Sequence, residues 1–361
     1  MWPDRRFIDL VGIDHPIVQA PMAGSCTPAL AAAVAGAGGL GSLGVGPRQP
    51  DFIRERVTAL KSATNRPFNL NFFAHTAPQG GARVLEASRA ALKQDYAALG
   101  LGDPPQIPVE GSQGFDMDRL ALLLELRPTV ASFHFGLPGD AAIAALREAG
   151  IILGATATTV AEAMAVEAAG CDFIVAQGFE AGGHRGAHTN TPPDGGIGTL
   201  ALVPQVVDMV SIPVIAAGGI GDARGIAAAL ALGAAGVQLG TAFLRCPEAE
   251  TDTSQRARLG RAADTDTIVT SMISGRANRV AVGPRAWHLS SAAASYMPYP
   301  LQYALSGPLL DAGGEDYAAH QYGQAASLAC EMPAGELVRA LVTETAERLA
   351  ALAASVGTQA P

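Results

Sequence analysis

Lysine is nearly absent from this sequence. Only Lys61 and Lys93 occur among 361 residues, although lysine and arginine together number 24. Both lysines lie within helical patterns, away from the ends of the predicted strands. Because a Schiff-base mechanism requires a lysine amine buried in the active site, the sequence argues against an aldolase of that type.

Cysteines are also few, and they are scattered. None of the four shows the CxxC or zinc-ligand spacing of a metal centre. His184 and His188 do not form a metal pair either, since Gly186 lies between them and the segment lacks a helical pattern. We therefore expect no metal site, and reduced thiols in a cytoplasmic protein. The cysteines are Cys26, Cys171, Cys246 and Cys330.

An excess of positive charge is missing as well. The formal net charge is −9, which argues against nucleic acid and anionic membrane surfaces as partners. The first residues, Met-Trp-Pro-Asp-Arg-Arg-Phe, lack the apolar h-region of a signal peptide. The uncharged stretch Ile226–Leu244 approaches the length of a membrane span. Its glycines, with Gln238 and Thr241, predict a helix, a turn and a strand instead, so we expect no membrane span.

Aromatic residues make up only 5% of the chain, whereas apolar residues reach 49%. Alanine and glycine dominate, which favours helices packed tightly on a parallel sheet. Through most of the chain, short apolar runs alternate with helical patterns, as is typical of βα units. The sequence therefore predicts an α/β fold, a (β/α)8 TIM barrel. The predicted strands are Pro16–Ala20, Leu40–Leu43, Phe68–Phe72, Val130–Phe133, Ile151–Ala155, Phe173–Gln177, Val214–Ala217 and Ala235–Leu239.

Two segments do not fit the simple repeat. Residues 75–114, after the third strand, are too many for one loop and include a helical pattern at Gly81–Leu99. We interpret them as an insertion in a barrel domain of residues 1–243. Residues 244–361 then form an appended helical layer that covers the mouth of the barrel. The segments assigned to this layer include Gln255–Ala263, Thr270–Arg279 and Ala334–Ala354.

The sixth predicted strand leads into the most informative stretch of the chain. Phe173–Gln177 ends in an amide, and Gly178, Gly182 and Gly183 precede His184. Glycines let the backbone approach a bound group closely, and histidine has an unperturbed pKa near neutrality. The pattern predicts a loop for cofactor binding and catalysis. An ordinary βα connection with a solvent-facing histidine is the alternative.

The last two predicted strands end in glycine-rich segments. In many (β/α)8 barrels, a phosphate group binds at the loops that follow strands seven and eight. Backbone N–H groups at Gly219, Gly240 and Thr241 suit a phosphate without the help of a lysine. Tight packing of helices on the sheet is the alternative explanation of these glycines. The residues concerned are Gly218 and Gly219 after the seventh strand, and Gln238, Leu239, Gly240 and Thr241 at the eighth.

Other strand ends contribute polar side chains. Asn71 and Gln177 carry amides that suit the polar edge of a flavin ring, although a single buried amide is more often a structural hydrogen-bonding group. His134 ends the fourth strand and either lines the pocket or packs in the core. The GxGxxG match at Gly39–Gly44 lies within a strand and is followed by prolines, so it does not predict a dinucleotide site.

Several segments together resemble bacterial class I nitronate monooxygenases, formerly called 2-nitropropane dioxygenases. The Gly-Gly-His loop alone is also similar to the loop of flavin-dependent enoyl-acyl-carrier-protein reductases and related quinone reductases. Asn71–Phe73, combined with the full motif after the sixth strand, favours the monooxygenases. The resembling segments are Gln19–Gly24, Asn71–Phe73, Ala176–His184, Ala217–Ile220 and Met297–Gln302, so the resemblance spans nearly the whole chain.

The resemblance implies non-covalently bound FMN and the oxidation of alkyl nitronates, notably propionate 3-nitronate, by O2. The products are a carbonyl compound and nitrogen oxyanions. Electron transfer from nitronate to FMN gives a flavosemiquinone, and reduced nicotinamide is not required.

The resemblance also implies roles for individual residues. His184 takes the catalytic position and contacts the nitronate as a base or as a hydrogen-bond donor. His134, Tyr299 and Tyr303 contact the substrate, and the tyrosines close the pocket. The residues implied in FMN binding are Met22, Asn71, Gln177, Gly182, Gly183, Gly218, Gly219, Gln238, Leu239, Gly240 and Thr241.

Two other functions stay open at this point: an FMN-dependent enoyl-acyl-carrier-protein or quinone reductase, and a non-catalytic FMN-binding barrel. The second requires an inert site, against which His184 argues. The shortage of lysine raises a further question, because propionate 3-nitronate is a dianion. Either Arg185, His134 and tyrosine hydroxyls hold its carboxylate, or the enzyme prefers nitronates with an uncharged alkyl chain.

Overall fold

The computed structural model describes residues 2–189, 196–292 and 296–357. Within these ranges the strands are β1 (Ile17–Gln19), β2 (Gly41–Gly44), β3 (Phe68–Phe73), β4 (Val130–His134), β5 (Ile152–Ala157), β6 (Phe173–Gln177), β7 (Gly183–His184), β8 (Val214–Ala217), β9 (Gly236–Leu239), β10 (Thr267–Thr270), β11 (Asn278–Val282) and β12 (Ala319–His320).

Eight of these strands form one parallel sheet in the order β1, β9, β8, β6, β5, β4, β3, β2. A parallel bridge between Val18 and Leu40 joins the two ends of this order, so the sheet closes into a barrel. All residues of β6 and β8 are buried, as expected for apolar strands covered on both faces. The predicted (β/α)8 fold is confirmed.

The helices surround the barrel and extend over one end of it. Thr159 caps one of them, because its hydroxyl accepts the N–H of Glu162 at 3.2 Å. The described helices are α1 (Arg6–Val11), α2 (Pro28–Gly36), α3 (Pro50–Ala63), α4 (Ala82–Ala98), α5 (Met117–Leu126), α6 (Asp140–Glu148), α7 (Val160–Ala168), α8 (Thr199–Val207), α9 (Ala223–Ala231), α10 (Thr253–Leu259), α11 (Pro284–Ala292), α12 (Tyr303–Ala312), α13 (Gly314–Tyr317) and α14 (Ala334–Gly357). None of them, over the residues described, is both long enough and apolar enough to cross a membrane.

The last helix, α14, belongs to the ring around the barrel. It packs against α2 and α9. Its Leu337 and Val338 share one hydrophobic core with Leu30 of α2 and Ile226 of α9. The apolar stripe of α14 therefore occupies the place of the eighth barrel helix. The expectation that all of residues 244–361 cover the barrel mouth is wrong for this helix.

The segment between β9 and α14 contains helices α10 to α13 and, in addition, a small antiparallel sheet. In this sheet β11 pairs with β10, β12 and β7. The assignment of Thr270–Arg279 to a helical layer is therefore wrong, since these residues join β10 to β11. β10 reads Thr-Ile-Val-Thr, whose β-branched residues favour a strand. A run this short does not distinguish helix from strand by periodicity alone.

The insertion after β3 packs on the same segment. Leu85, Leu92 and Tyr96 of α4 lie in a second hydrophobic core together with Met297 and Leu305. Since the insertion and the C-terminal segment bury apolar side chains against each other, we call them together the roof of the barrel. The regular barrel helix after β3 is α5.

A buried carboxylate also links the two parts of the roof. Asp95 of α4 forms an ion pair with Arg285 of α11, and its Oδ1 accepts the Tyr317 hydroxyl at 2.6 Å. Those hydrogen bonds hold the pKa of Asp95 below its usual value although burial raises it. A charged Asp95 that accepts hydrogen bonds from Arg285 and Tyr317 therefore ties α4 to α11 and α13.

Candidate active site

A cavity of about 370 Å³ opens at the carboxyl ends of the barrel strands, beneath the roof. Such a volume lies within the range of small-molecule and cofactor pockets, and the position is the one that (β/α)8 barrels use for chemistry. The predicted residues that line the cavity are Met22, Asn71, His134, Gln177, Gly182, Gly183, His184, Gly218, Gly219, Gln238, Gly240 and Thr241.

One predicted cofactor residue does not line the cavity. Leu239 is 1% exposed and packs in the barrel core. Its carbonyl oxygen accepts the N–H of Ala20 at 2.8 Å, across from β1. Side chains of a strand alternate between its two faces, so the polar neighbours of Leu239 reach the cavity and its own side chain does not.

His184 is held by a strand rather than by an open loop. Gly183 and His184 form β7, which pairs with Arg279 and Asn278 of β11. On the other side, a Cβ atom at Gly182 would lie 2.4 Å from backbone atoms of Tyr322 and Gly323. Only glycine permits this approach, so the roof fixes the backbone immediately before His184.

The imidazole of His184 lies between the cavity and the roof. Its Nε2 is 2.8 Å from the Ser274 hydroxyl and 3.4 Å from the Tyr303 hydroxyl. The Tyr299 ring stands edge-on to it, with 5.5 Å between the ring centroids. Neither tyrosine lines the cavity, although both rings contact His184. That they close the pocket over the substrate stays a prediction.

Phe135 forms the centre of an aromatic cluster at this site. Its φ of 74° is in the left-handed region, which is unusual for a bulky residue and costs conformational energy. The ring is fully buried and lies 5.6 Å from His184, 5.0 Å from Tyr299 and 4.7 Å from Phe73, between centroids. The Arg276 guanidinium covers it at 4.3 Å. The strained backbone thus places one ring against the catalytic candidate and its neighbours.

The side chains of Gln177 and His134 hold the loop that carries His184. The Gln177 amide donates to the His184 carbonyl at 3.1 Å and accepts the Gly186 N–H at 2.7 Å. His134 Nε2 lies 3.2 Å from the same carbonyl, and its Nδ1 lies 3.0 Å from the Thr156 hydroxyl. A carbonyl only accepts, so Nε2 of a neutral His134 carries the proton. Both residues line the cavity while fixing this loop.

Burial keeps both histidines of the site uncharged. It lowers the pKa of His134 to about 3. It lowers the pKa of His184 to about 3 as well, and the neighbouring His134 and Arg276 act in the same direction. At neutral pH, His184 therefore acts as a neutral imidazole.

We expect these histidines to make the protein sensitive to acid. An unfolded histidine has a pKa of about 6.5, so between that value and the depressed one the unfolded state binds more protons. Stability is then present above pH 6.5 and is lost as the pH falls toward 3, by about 1–2 kcal/mol per histidine at pH 5. Urea denaturation at pH 7 and pH 5 measures this loss.

The variant His134→Gln isolates the contribution of His134 to this loss of stability at acid pH. It should lose less stability between pH 7 and pH 5 than the wild-type protein loses. The exposed His288 provides the control, since His288→Gln should keep the wild-type difference. If His134→Gln lost as much stability between pH 7 and pH 5 as the wild-type protein, a lowered pKa of His134 would not explain the acid sensitivity.

The opposite end of the cavity is formed by the loops after β8 and β9. Gly218 and Gly219 have φ of 105° and 70°, values that only glycine adopts readily. The Thr241 hydroxyl accepts the N–H of Gly323 at 2.9 Å, which ties this end to the roof. The nearby start of α8 is already occupied, because the Glu180 carboxylate accepts the Thr199 N–H at 2.9 Å.

Arg185 is not available as a carboxylate ligand. Its guanidinium is buried and donates to the backbone carbonyls of Gln177 and Thr158. Sequence reasoning missed Arg276, Ser274 and Phe135, which surround His184 instead. A signal for Arg276 was available, because this arginine ends a Ser-Gly-Arg segment that follows a run rich in β-branched residues.

The model of the family described as nitronate monooxygenase matches residues 4–344 of the chain. The chain belongs to the nitronate monooxygenase family. It is 46% identical to the nitronate monooxygenase of Paraburkholderia phytofirmans over 347 residues, which cover 94% of each chain. It is 44% identical to the nitronate monooxygenase of Pseudomonas aeruginosa, with 94% of this chain and 98% of that protein covered. Membership makes the chain an oxidoreductase and supports a nitronate-oxidising flavoenzyme.

Solved structures of related proteins agree with the family. Nitroalkane oxidase from Streptomyces ansochromogenes superposes with a TM-score of 0.86 at 40% identity, over 96% of this chain and 99% of that one. FabK from Thermotoga maritima superposes with a TM-score of 0.74 at 28% identity, over 98% of this chain and 100% of that one. This chain therefore shares its fold, over nearly its whole length, with proteins of other names.

Proposed function

We propose that this enzyme binds FMN and oxidises alkyl nitronates with O2, without reduced nicotinamide. The observation that carries the proposal is the position of a neutral His184 between the cavity and the closing tyrosines. Family membership supports the substrate class. The reaction yields a carbonyl compound and nitrogen oxyanions.

The cavity fits FMN at both of its ends. The glycine-rich loops after β8 and β9 suit the phosphate, since the N–H groups of Gly219, Gly240 and Thr241 donate to no group among the residues described. Because the Glu180 carboxylate already caps the start of α8, we assign the phosphate to these loops rather than to that helix. At the other end, Asn71, Gln177 and Gly182 line the cavity and would face the isoalloxazine. These residues would hold FMN, which would supply the electron acceptor for the oxidation of the nitronate.

The protein's own groups then bind and enclose the substrate. His184 donates a hydrogen bond to the nitronate oxygens, which only accept, and its ring is held by Ser274 and by the aromatic cluster. Tyr299 and Tyr303 exclude water from the roof side. His134 fixes the His184 backbone rather than binding the substrate directly.

The same geometry favours nitronates over nitroalkanes. Oxidation of a nitroalkane requires a base that removes a proton from carbon. No carboxylate among the described residues forms a hydrogen bond with the His184 imidazole, and burial keeps the pKa of His184 at about 3. Such a weak base does not deprotonate a nitroalkane effectively at neutral pH. We therefore propose that the substrate enters as the preformed nitronate anion.

We expect the purified protein to be yellow, to release FMN rather than FAD, and to consume O2 with ethyl nitronate or propionate 3-nitronate. Freshly dissolved nitroethane, which is still protonated, should react far more slowly. Oxidation of NADH or NADPH should be negligible. An oxygen electrode and the absorbance of the released flavin measure these results.

Each alternative function has its own outcome in this experiment. Rapid flavin reduction by NADH, with an enoyl thioester or a quinone as acceptor, would identify a reductase. A yellow protein that turns over neither substrate would be a non-catalytic FMN-binding barrel. A colourless protein that does not take up FMN would contradict the whole proposal. Protein stripped of FMN and reconstituted is the control.

A further inference from the structure

Arg276 carries a buried positive charge that forms no ion pair within the part of the chain that the structure describes. The residue lies between β10 and β11 and is 4% exposed. Its Nη2 donates to the Ala187 carbonyl at 3.1 Å, whereas Nε and Nη1 are buried without any hydrogen-bond partner among the described residues. An isolated buried cation is costly unless something compensates its charge.

The acidic residue that attracts Arg276 is already engaged elsewhere. Glu162 raises the pKa of Arg276, although burial dominates and lowers this pKa to about 10. The Glu162 carboxylate accepts the Thr158 hydroxyl at 2.7 Å and the His188 N–H at 2.8 Å. Arg276 therefore remains protonated at neutral pH, and no carboxylate among the described residues bonds to it.

Arg276 does not line the cavity, but one shared aromatic ring links it to His184. Arg276 stacks on the Phe135 ring at 4.3 Å, and this ring also contacts His184 and Tyr299. Ser274, which touches His184 Nε2 at 2.8 Å, is two residues away along the chain. Nε and Nη1 of Arg276 are enclosed by protein, so the charge acts on the cavity through space rather than by contact.

We propose that Arg276 is the residue that selects anionic substrates, with the bound anion serving as the counter-ion of its guanidinium. That the natural anion is a nitronate rests on the proposed function, but charge selection itself does not depend on turnover. Arg276 would thereby supply the positive charge for a dianionic nitronate that the two lysines of the chain do not supply. A field that acts through space favours each negative charge, so a dianionic carboxylated nitronate gains more than a monoanionic one.

The test compares ligands of different charge on the FMN-loaded enzyme. Nitrate serves as a monoanion, malonate as a dianion and nitroethane as an uncharged ligand, each titrated by calorimetry into the wild-type protein, Arg276→Lys and Arg276→Met. In Arg276→Met we expect the dissociation constant of nitrate to rise about 10-fold and that of malonate to rise more, while that of nitroethane changes by less than about 2-fold. Arg276→Lys should stay near the wild type.

Further results distinguish anion selection by Arg276 from a purely structural role of this residue. Arg54→Met removes an exposed, ion-paired arginine and should leave all three affinities unchanged. The proposal fails if nitroethane weakens as much as nitrate in Arg276→Met, or if Arg276→Lys behaves like Arg276→Met. If Arg276→Met does not fold, the wild-type protein still decides, because nitroethane binding as tightly as nitrate would overturn the proposal.

These titrations remain informative if the proposed function is wrong. Anion selection without nitronate oxidation would reject the proposed reaction and keep the role of Arg276. Nitronate oxidation without anion selection would keep the proposed reaction and reject the role of Arg276. In active enzyme, the loss in Arg276→Met should appear mainly as a higher KM for nitronates, since the charge favours binding of the anion.

Discussion

The variant His184→Asn is expected to retain FMN but to lower kcat/KM for nitronates by about 100-fold or more, the scale of losing a positioned hydrogen-bonding group at a reacting centre. The imidazole is held by Ser274 and lies against Phe135, Tyr299 and Tyr303. Asparagine is shorter and does not reproduce these contacts. Oxygen uptake measures the rate, and flavin absorbance per protein measures the retained FMN.

His188 provides the matched control for His184. It lies four residues further along the chain and outside the cavity lining. Its Nε2 donates to the Thr156 carbonyl at 2.9 Å, and its N–H donates to Glu162. We expect His188→Asn to keep kcat/KM within about 3-fold of the wild type, as for changes away from the reacting centre. Turnover that survives in His184→Asn and collapses in His188→Asn would assign the chemistry to the other histidine.

The variant Gly182→Ala should destabilise the protein by about 3 kcal/mol and weaken FMN binding on the order of 100-fold. The added Cβ would lie 2.4 Å from backbone atoms of Tyr322 and Gly323, which do not rotate away as a side chain does. Gly323 also donates to Thr241 at the other end of the cavity, so a shift of this segment disturbs both ends. Thermal unfolding and fluorescence titration with FMN measure the two effects.

A substitution at the neighbouring Gly183 distinguishes the effect of steric conflict from that of backbone strain. A Cβ at Gly183 would meet nothing closer than Gln321 Oε1 at 3.8 Å, but its φ is 75°. Gly183→Ala should therefore cost only about 1 kcal/mol, the price of a left-handed conformation, and should still bind FMN. If both variants behaved alike, contact with the Tyr322–Gly323 segment would not explain the need for Gly182.

The barrel could be predicted from the sequence because buried parallel strands are short apolar runs with clear ends. Phe173–Gln177 and Val214–Ala217 have the bounds that their apolar residues predict. Polar residues at strand ends are brought together by the fold itself, which is why Asn71, His134 and His184 could be placed at one cavity.

The roof could not be predicted in the same way, since its order depends on contacts between distant parts of the chain. β7 has two residues and exists only because β11 pairs with it. The left-handed φ of Phe135 has no signal in the sequence, and neither do the two nitrogens of Arg276 that lack a hydrogen-bond partner among the described residues. An amphipathic pattern predicted α14 but did not show which surface it covers.

The position of α14 has a consequence for dissecting this protein. A chain that stops at Phe243 would retain every barrel strand and still leave Leu30 of α2 and Ile226 of α9 exposed to water. Such a fragment would be prone to aggregate, however complete its sheet. Topologically, the C-terminal part of the roof is a long excursion between the last barrel strand, β9, and the last helix, α14. Isolating the barrel therefore requires an internal deletion that joins β9 to α14 by a short linker.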